Sequence, residues 1–265
     1  MALQLPPQLH QHQLYFKPNA RQTLPFLLGC VSMVFLTTSV ALANYVPPGS
    51  SQPSSGYVGS TGTRSGSGNK TLNGELTALA PFSHAGQTTA THPTFAWYVP
   101  DVEIDSISFG LYGYGGNGKP NPIGSPSRLD LSVLPNQRHI MQYSLPKDQS
   151  GLTIGQKYLW EVTLACKSCS DRKVQILRTD IEIVAMPAML QTALAKTSDR
   201  LQRANLYAKA GFWYDALAEA LTTAKTKPLT LSLLEDLVKL EASGTSDKVK
   251  QQHDRLKQVV DIEQH

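Results

Sequence analysis

The chain has 265 residues, with 24 Lys plus Arg against 20 Asp plus Glu, 41% hydrophobic and 17% charged residues. No acidic residue precedes Glu75, whereas Lys17, Arg21, Arg64 and Lys70 do, so from Glu75 onward the two signs balance at 20 each. The net positive charge therefore belongs to the N-terminal part and is no nucleic-acid footprint, which needs basic residues clustered on a folded face; the composition also excludes a collagen repeat, wholesale disorder and, with three Cys, a disulfide-dense scaffold.

Residues 24–43 form an apolar run behind Lys17 and Arg21 that ends Ala41-Leu42-Ala43. A cationic region, an apolar core and small residues at the last and third-last positions are the parts of a secretory signal peptide. Residues 1–43 are thus expected to direct export, with cleavage after Ala43 and no membrane span afterwards. The predicted location is the periplasm or the extracellular space. Leu27-Leu28-Gly29-Cys30 is placed too early in the apolar core for a lipoprotein box.

Residues 44–74 contain seven Gly, seven Ser and three Pro. Such a segment buries too little apolar surface to offset its ordering entropy, so it reads as a disordered linker.

From Leu76 to about Val184 the apolar residues alternate: Phe95, Trp97 and Val99; Ile107, Phe109 and Leu111; Leu129, Leu131 and Val133; Met141, Tyr143 and Leu145; Tyr158 through Cys166; Leu177 through Ile183. A period of two broken by Gly and Pro predicts half-buried antiparallel strands. The number and size fit an immunoglobulin/fibronectin-like β-sandwich over residues 75–185. Tyr158, ahead of Trp160 and Val162, is placed as a tyrosine corner, its hydroxyl bonded to backbone a few residues upstream. Trp97 and Trp160 are then core residues.

At Pro187 the spacing becomes helical, giving an α-helical C-terminal region over 186–265. Pro187 suits a first turn, and Ser198 and Asp199 can cap a second helix carrying Leu201, Ala204 and Ala208. Gly211 breaks it. A third helix carries Trp213, Ala216, Leu217 and Ala220 and stops before Pro228; Leu231 to Leu240 and Lys248 to Ile262 supply two more. The stretch from Tyr207 to Ala216 resembles one tetratricopeptide unit, but no second copy follows at a period near 34, and arrays need about three repeats. A single helical hairpin packed on the sandwich is expected.

The segments His92-Pro-Thr-Phe-Ala-Trp-Tyr-Val-Pro100, Leu152 to Cys166 and Leu206-Tyr-Ala-Lys-Ala-Gly-Phe-Trp-Tyr-Asp-Ala-Leu217 together resemble a family of exported cyanobacterial proteins known only as a domain of unknown function. That resemblance implies export and a β domain followed by helices; it carries over no activity and no catalytic residue.

Gly113 to Lys119 satisfies the GxxxxGK spacing of a phosphate loop, but Pro120 replaces the Mg²⁺-binding hydroxyl and no helix follows, so a hairpin turn is expected. Cys166-Lys-Ser-Cys169 ends a strand, the wrong place for a thioredoxin site, and lacks neighbouring zinc ligands, which leaves a short structural disulfide in an oxidising compartment. Asp101, Glu103 and Asp105 read as a solvated edge strand. Tyr207, Trp213 and Tyr214 are the densest aromatic group; at helical spacing they fit either the core or a partner-binding patch. No catalytic, cofactor or metal signature is present. The expectation is a non-enzymatic binding or scaffolding protein of the bacterial envelope that meets another envelope protein, the alternative being polysaccharide binding through exposed rings among Tyr98, Tyr112, Tyr114 and Tyr143, with a hydrolase whose site is not visible locally as the last reading.

Overall fold

The computed structural model describes residues 44–49, 52, 54–60, 75–130, 139–167, 174–222 and 226–265. The expected leader over 1–43, with its cleavage point, and the apolar residues Leu131 and Val133 lie outside them. Ten strands and five helices are present among the described residues: β1 (Gly59–Ser60), β2 (Thr77–Ala78), β3 (Gly86–Thr88), β4 (Thr94–Tyr98), β5 (Ile104–Tyr114), β6 (Pro120–Pro122), β7 (Ser127–Arg128), β8 (Ile140–Ser144), β9 (Lys157–Cys166), β10 (Val174–Ile183), α1 (Ala188–Leu194), α2 (Arg200–Lys209), α3 (Trp213–Ala220), α4 (Lys227–Glu241) and α5 (Asp247–Gln264).

The strands form two sheets. The larger runs β1-β10-β9-β5-β6, with β3 also beside β10 and β7 also beside β5; the smaller runs β2-β4-β8. Pairing is antiparallel except between β3 and β10. Aromatic side chains join the two sheets: Phe95 of β4 lies 4.7 Å from Phe109 and 5.4 Å from Trp160, centroid to centroid, and Trp97 lies 6.3 Å from Trp160. Trp97 and Trp160 are wholly buried, as their alternation requires. The Tyr158 hydroxyl accepts the Thr153 N–H at 3.0 Å, the upstream backbone bond expected of it. The Gly113–Lys119 stretch closes a hairpin: Gly113 and Tyr114 end β5, Gly115 N–H donates to the Lys119 carbonyl at 3.0 Å, and the chain then enters β6.

Alternation fails where the helices cover the small sheet. Ala96 and Tyr98, on the other face of β4 from Phe95 and Trp97, are buried too. The change from strand to helix falls between Ile183 and Ala188, close to the expected boundary. Three of the helix starts have a local reason. Pro187 caps α1, and the Asp199 and Ser246 side chains accept N–H groups in the first turns of α2 and α5. Gly211 takes φ +87 after α2, a left-handed conformation that glycine adopts at little cost. The buried faces of α2, α3, α4 and α5 join the sheet residues in one continuous hydrophobic core, so the readings 75–185 and 186–265 are two kinds of secondary structure around one interior.

The disordered linker expected over 44–74 requires correction in its first part; 61–74 lie outside the described residues. The described residues between Asn44 and Ser60 lie along the fold as a strap. Tyr45 and Val58 are buried, Tyr45 N–H donates to Asp236 Oδ2 at 3.0 Å, and β1 pairs with β10. Composition misleads here because the strap is held mainly by hydrogen bonds to distant carboxylates, not by apolar residues of its own.

Candidate functional site

A polar cleft of about 420 Å³ opens where α2 and α3 meet strands β4 and β8. The helices supply Arg200, Tyr207, Asp215 and Glu219, and the strands supply Thr94, Gln142 and Ser144. Antiparallel packing of α2 on α3 sets Arg200 and Arg203 opposite Glu219, whose two oxygens take one guanidinium each at 2.7 Å. Register between β4 and β8 pairs Thr94 with Ser144, and their hydroxyls lie 2.8 Å apart. Gln142 Nε2 donates to the Leu221 carbonyl at 3.2 Å, joining the strand wall to the end of α3.

Asp215, in the first turn of α3, is buried at the cleft floor. Its oxygens accept the Thr89 N–H at 2.9 Å and the Thr89 hydroxyl at 3.0 Å. Burial raises its carboxyl above the usual range, and the Thr89 bonds partly offset that. The Tyr207 phenol is raised as well, first by burial and then by the negative charge of Asp215. Both carboxylates at the cleft are thus engaged by protein neighbours. Such a surface offers hydroxyl, amide and guanidinium groups to a ligand.

Of the aromatic residues singled out in the sequence, Tyr207 lines this cleft at 7% exposure. Trp213 and Tyr214 do not reach a surface, so of the two readings open to them the core holds and the partner-binding patch does not. Trp213 is fully buried and donates from Nε1 to the Leu79 carbonyl at 2.8 Å. The Tyr214 hydroxyl accepts Trp160 Nε1–H at 2.8 Å and donates to the Asp180 carbonyl at 2.9 Å. Buried indole and phenol polar tips usually find a partner, and these bonds dock α3 on the sheets. Tyr98 is also buried, which removes it from the set of exposed rings. Tyr112 and Tyr114 are half-buried, with their hydroxyls on Glu161 at 3.2 Å and on Asp180 at 2.5 Å.

A second polar group lies beneath the strap. Ser83 Oγ donates to Glu241 Oε1 at 2.8 Å and lies 3.0 Å from His84 Nδ1; Tyr45 Oη lies 3.0 Å from His84 Nε2. Since the Ser83 proton is committed to Glu241, His84 donates to Ser83 and accepts from Tyr45. A serine nucleophile needs the opposite, a base taking its proton, so these three residue types do not make a catalytic triad. Burial lowers His84 to about 4 and raises Glu241. The group ties the strap, the segment before β3 and α4 together.

Cys166 is buried at the end of β9 and disulfide-bonded; Cys169 lies outside the described residues. Asp101, Glu103 and Asp105 are exposed, and Glu103 pairs with Lys167 at 3.7 Å. Among the described residues no group of three His, Cys, Asp or Glu side chains is arranged to hold a metal ion, and no helix is long and apolar enough to cross a membrane.

A family model described as Domain of Unknown Function (DUF928) matches residues 59–253. The chain belongs to this family. The match takes in both sheets, the cleft and the helices as far as the first two turns of α5, but begins only at β1, after most of the strap. No curated protein matches the chain. Arg200, Glu219, Thr94, Gln142 and Ser144 carried no local sequence signal, because the cleft exists only once β4, β8 and the α2/α3 pair, up to 128 positions apart in the chain (Thr94 to Thr222), are brought together. Asp215 was legible only as part of the Leu206–Leu217 motif.

Proposed function

We propose that this DUF928 member is an exported, non-enzymatic binding or scaffolding protein of the bacterial envelope, and that the cleft between α2/α3 and β4/β8 receives an envelope protein. The observation that carries this reading is the state of the cleft's carboxylates: Asp215 is held by Thr89 and Glu219 by Arg200 and Arg203, leaving a fixed polar surface suited to recognition. The leader-like segment 1–43 supports export, with cleavage after Ala43 and release to the periplasm or beyond. We read the fold as an immunoglobulin-like sandwich with a tetratricopeptide-like helix pair laid on it, a reading supported by the Tyr158 corner and by the close packing of α2 on α3. The disulfide at Cys166 is assigned to Cys169, three residues on, in keeping with an oxidising compartment.

A polysaccharide is the alternative ligand, favoured by the Thr94, Ser144 and Thr222 hydroxyls and the Gln142 amide that line the cleft. The full chain, expressed with its leader and carrying a photo-crosslinking amino acid at Gln142 or Thr222, distinguishes the two. One discrete protein adduct in the envelope fraction, absent when the crosslinker sits at Lys147 and reduced by Arg200→Glu, supports the protein partner. Retention on a glycan array without an adduct supports the alternative. Recovery of uncleaved chain in the cytoplasm contradicts the proposal.

A further inference from the structure

The described residues between Asn44 and Ser60 carry no charged side chain, yet they cross a surface that presents three carboxylates. Tyr45 N–H donates to Asp236 of α4 at 3.0 Å, and Gln52 Nε2 to Glu182 of β10 at 3.1 Å. Ser55 donates to Asp180 of β10 from its N–H at 2.6 Å and from its hydroxyl at 3.2 Å. Backbone bonds continue the pattern. Val46 N–H reaches the Ala208 carbonyl at the end of α2, and the Gln52 carbonyl accepts Ala85 N–H. The Gly56 carbonyl accepts Lys248 Nζ, and Gly59–Ser60 add an antiparallel rung beside Arg178 and Leu177.

Side-chain seats are few and specific. The Tyr45 ring stands edge-on to Trp213 at 4.9 Å, with its hydroxyl on His84. Pro48 lies directly on Gly211, where a Cβ would come within 2.5 Å of the proline ring. Val58 is buried, whereas Val46 and Tyr57 are 52% and 40% exposed. An edge strand for pairing, fixed partners for the peptide backbone and one deep aromatic pocket are how domains recognise extended peptides.

We propose that the surface formed by the β10 edge, the C-terminal end of α2 with Gly211, and Trp213, His84 and Asp236 is an acceptor site for an extended, uncharged peptide with an aromatic residue three positions ahead of a proline. Its resident occupant is this chain's own segment 44–60, bound in cis. Sequence-distant carboxylates and a glycine shaped to a proline are features of a receptor surface, and among its described residues the occupant buries two apolar side chains, Tyr45 and Val58, so its hold is that of a ligand. The cis arrangement gives it a high effective concentration.

The test uses the full chain with a specific protease sequence inserted within residues 61–74, cut after folding. Fluorescent synthetic peptide of residues 44–60 is then titrated in, with Trp fluorescence and size-exclusion chromatography as readouts. The expected result is that the severed segment stays bound when no competitor is present and exchanges saturably with the peptide. A Tyr45→Ala peptide competes about a hundredfold less well, because it loses the buried ring, and Pro48→Ala falls between. The proposal is overturned if the severed segment never exchanges, if the Tyr45→Ala peptide competes equally, or if cutting abolishes the near-ultraviolet circular dichroism of the body, since the strap is then a part of the core.

Discussion

The interior between the two sheets and the seam between sheets and helices are equally buried but built from opposite materials. Between the sheets, Phe95, Trp97, Phe109 and Trp160 lie ring against ring. At the seam, α3 and α4 are fastened by Trp213 to Leu79, Tyr214 to Trp160 and Asp180, Asp215 to Thr89, and Glu241 to Phe82 and Ser83. Apolar packing tolerates rotation of one layer on another; directional bonds to single atoms do not. The difference teaches that the sheets provide most of the burial and the seam fixes where the helices sit, which in turn sets the width of the cleft.

Trp160→Ala strikes both materials at once and most forcefully. It removes a fully buried indole and with it the donor to Tyr214, so a loss of about 3–5 kcal/mol in urea-denaturation stability is expected, the largest of the series. Next comes acid. Burial holds His84 at about 4 against 6.5 in the unfolded chain, so as the pH falls through that window the unfolded state takes the proton first and stability declines, by roughly 3 kcal/mol at most. Glu241 and Asp215, raised by burial, act in the other direction: their contribution is complete below the unfolded carboxyl pKa and fades as the pH climbs through the folded value. Urea melts of wild type and His84→Gln from pH 7 to 4 check this; the variant's stability should decline less steeply with acid.

Tyr214→Phe keeps the ring and deletes only the hydroxyl, leaving Trp160 Nε1–H and the Asp180 carbonyl short of a partner at the seam. A loss of about 1–3 kcal/mol is expected by thermal or urea denaturation. Tyr158→Phe, which removes one bond from the Thr153 N–H, should cost about 1 kcal/mol. Arg200→Gln is the smallest. Arg200 is half-exposed and Arg203 still holds Glu219, so stability should change by less than about 1 kcal/mol while partner capture at the cleft weakens.

Much of the architecture was legible because it rests on short-range patterning. The helix starts at Pro187 and Asp199, the break at Gly211, the burial of Trp97 and Trp160, and the Tyr158 bond all follow from residues within a turn or a strand of one another. What remained hidden depends on long separations. Asp180 and Glu182 alternate with Ile181 and Ile183, so they read as solvent-facing, yet Ser55 and Gln52 cover them from 125 and 130 residues away. Asn44 to Ser60 read as a linker because its partners lie up to 191 residues further on. The parallel pairing of β3 with β10 and the cleft between α2/α3 and β4/β8 likewise require the tertiary fold before they exist.

The most direct test of sheets and helices as one body is equilibrium unfolding of the full chain, followed at once by helical circular dichroism and by fluorescence of the tryptophans in both materials. Coincident curves with a single midpoint are predicted. Helical signal lost at a lower denaturant concentration, with Trp97 and Trp160 still in a native environment, would show that the seam does not bind the two parts into a single cooperative structure.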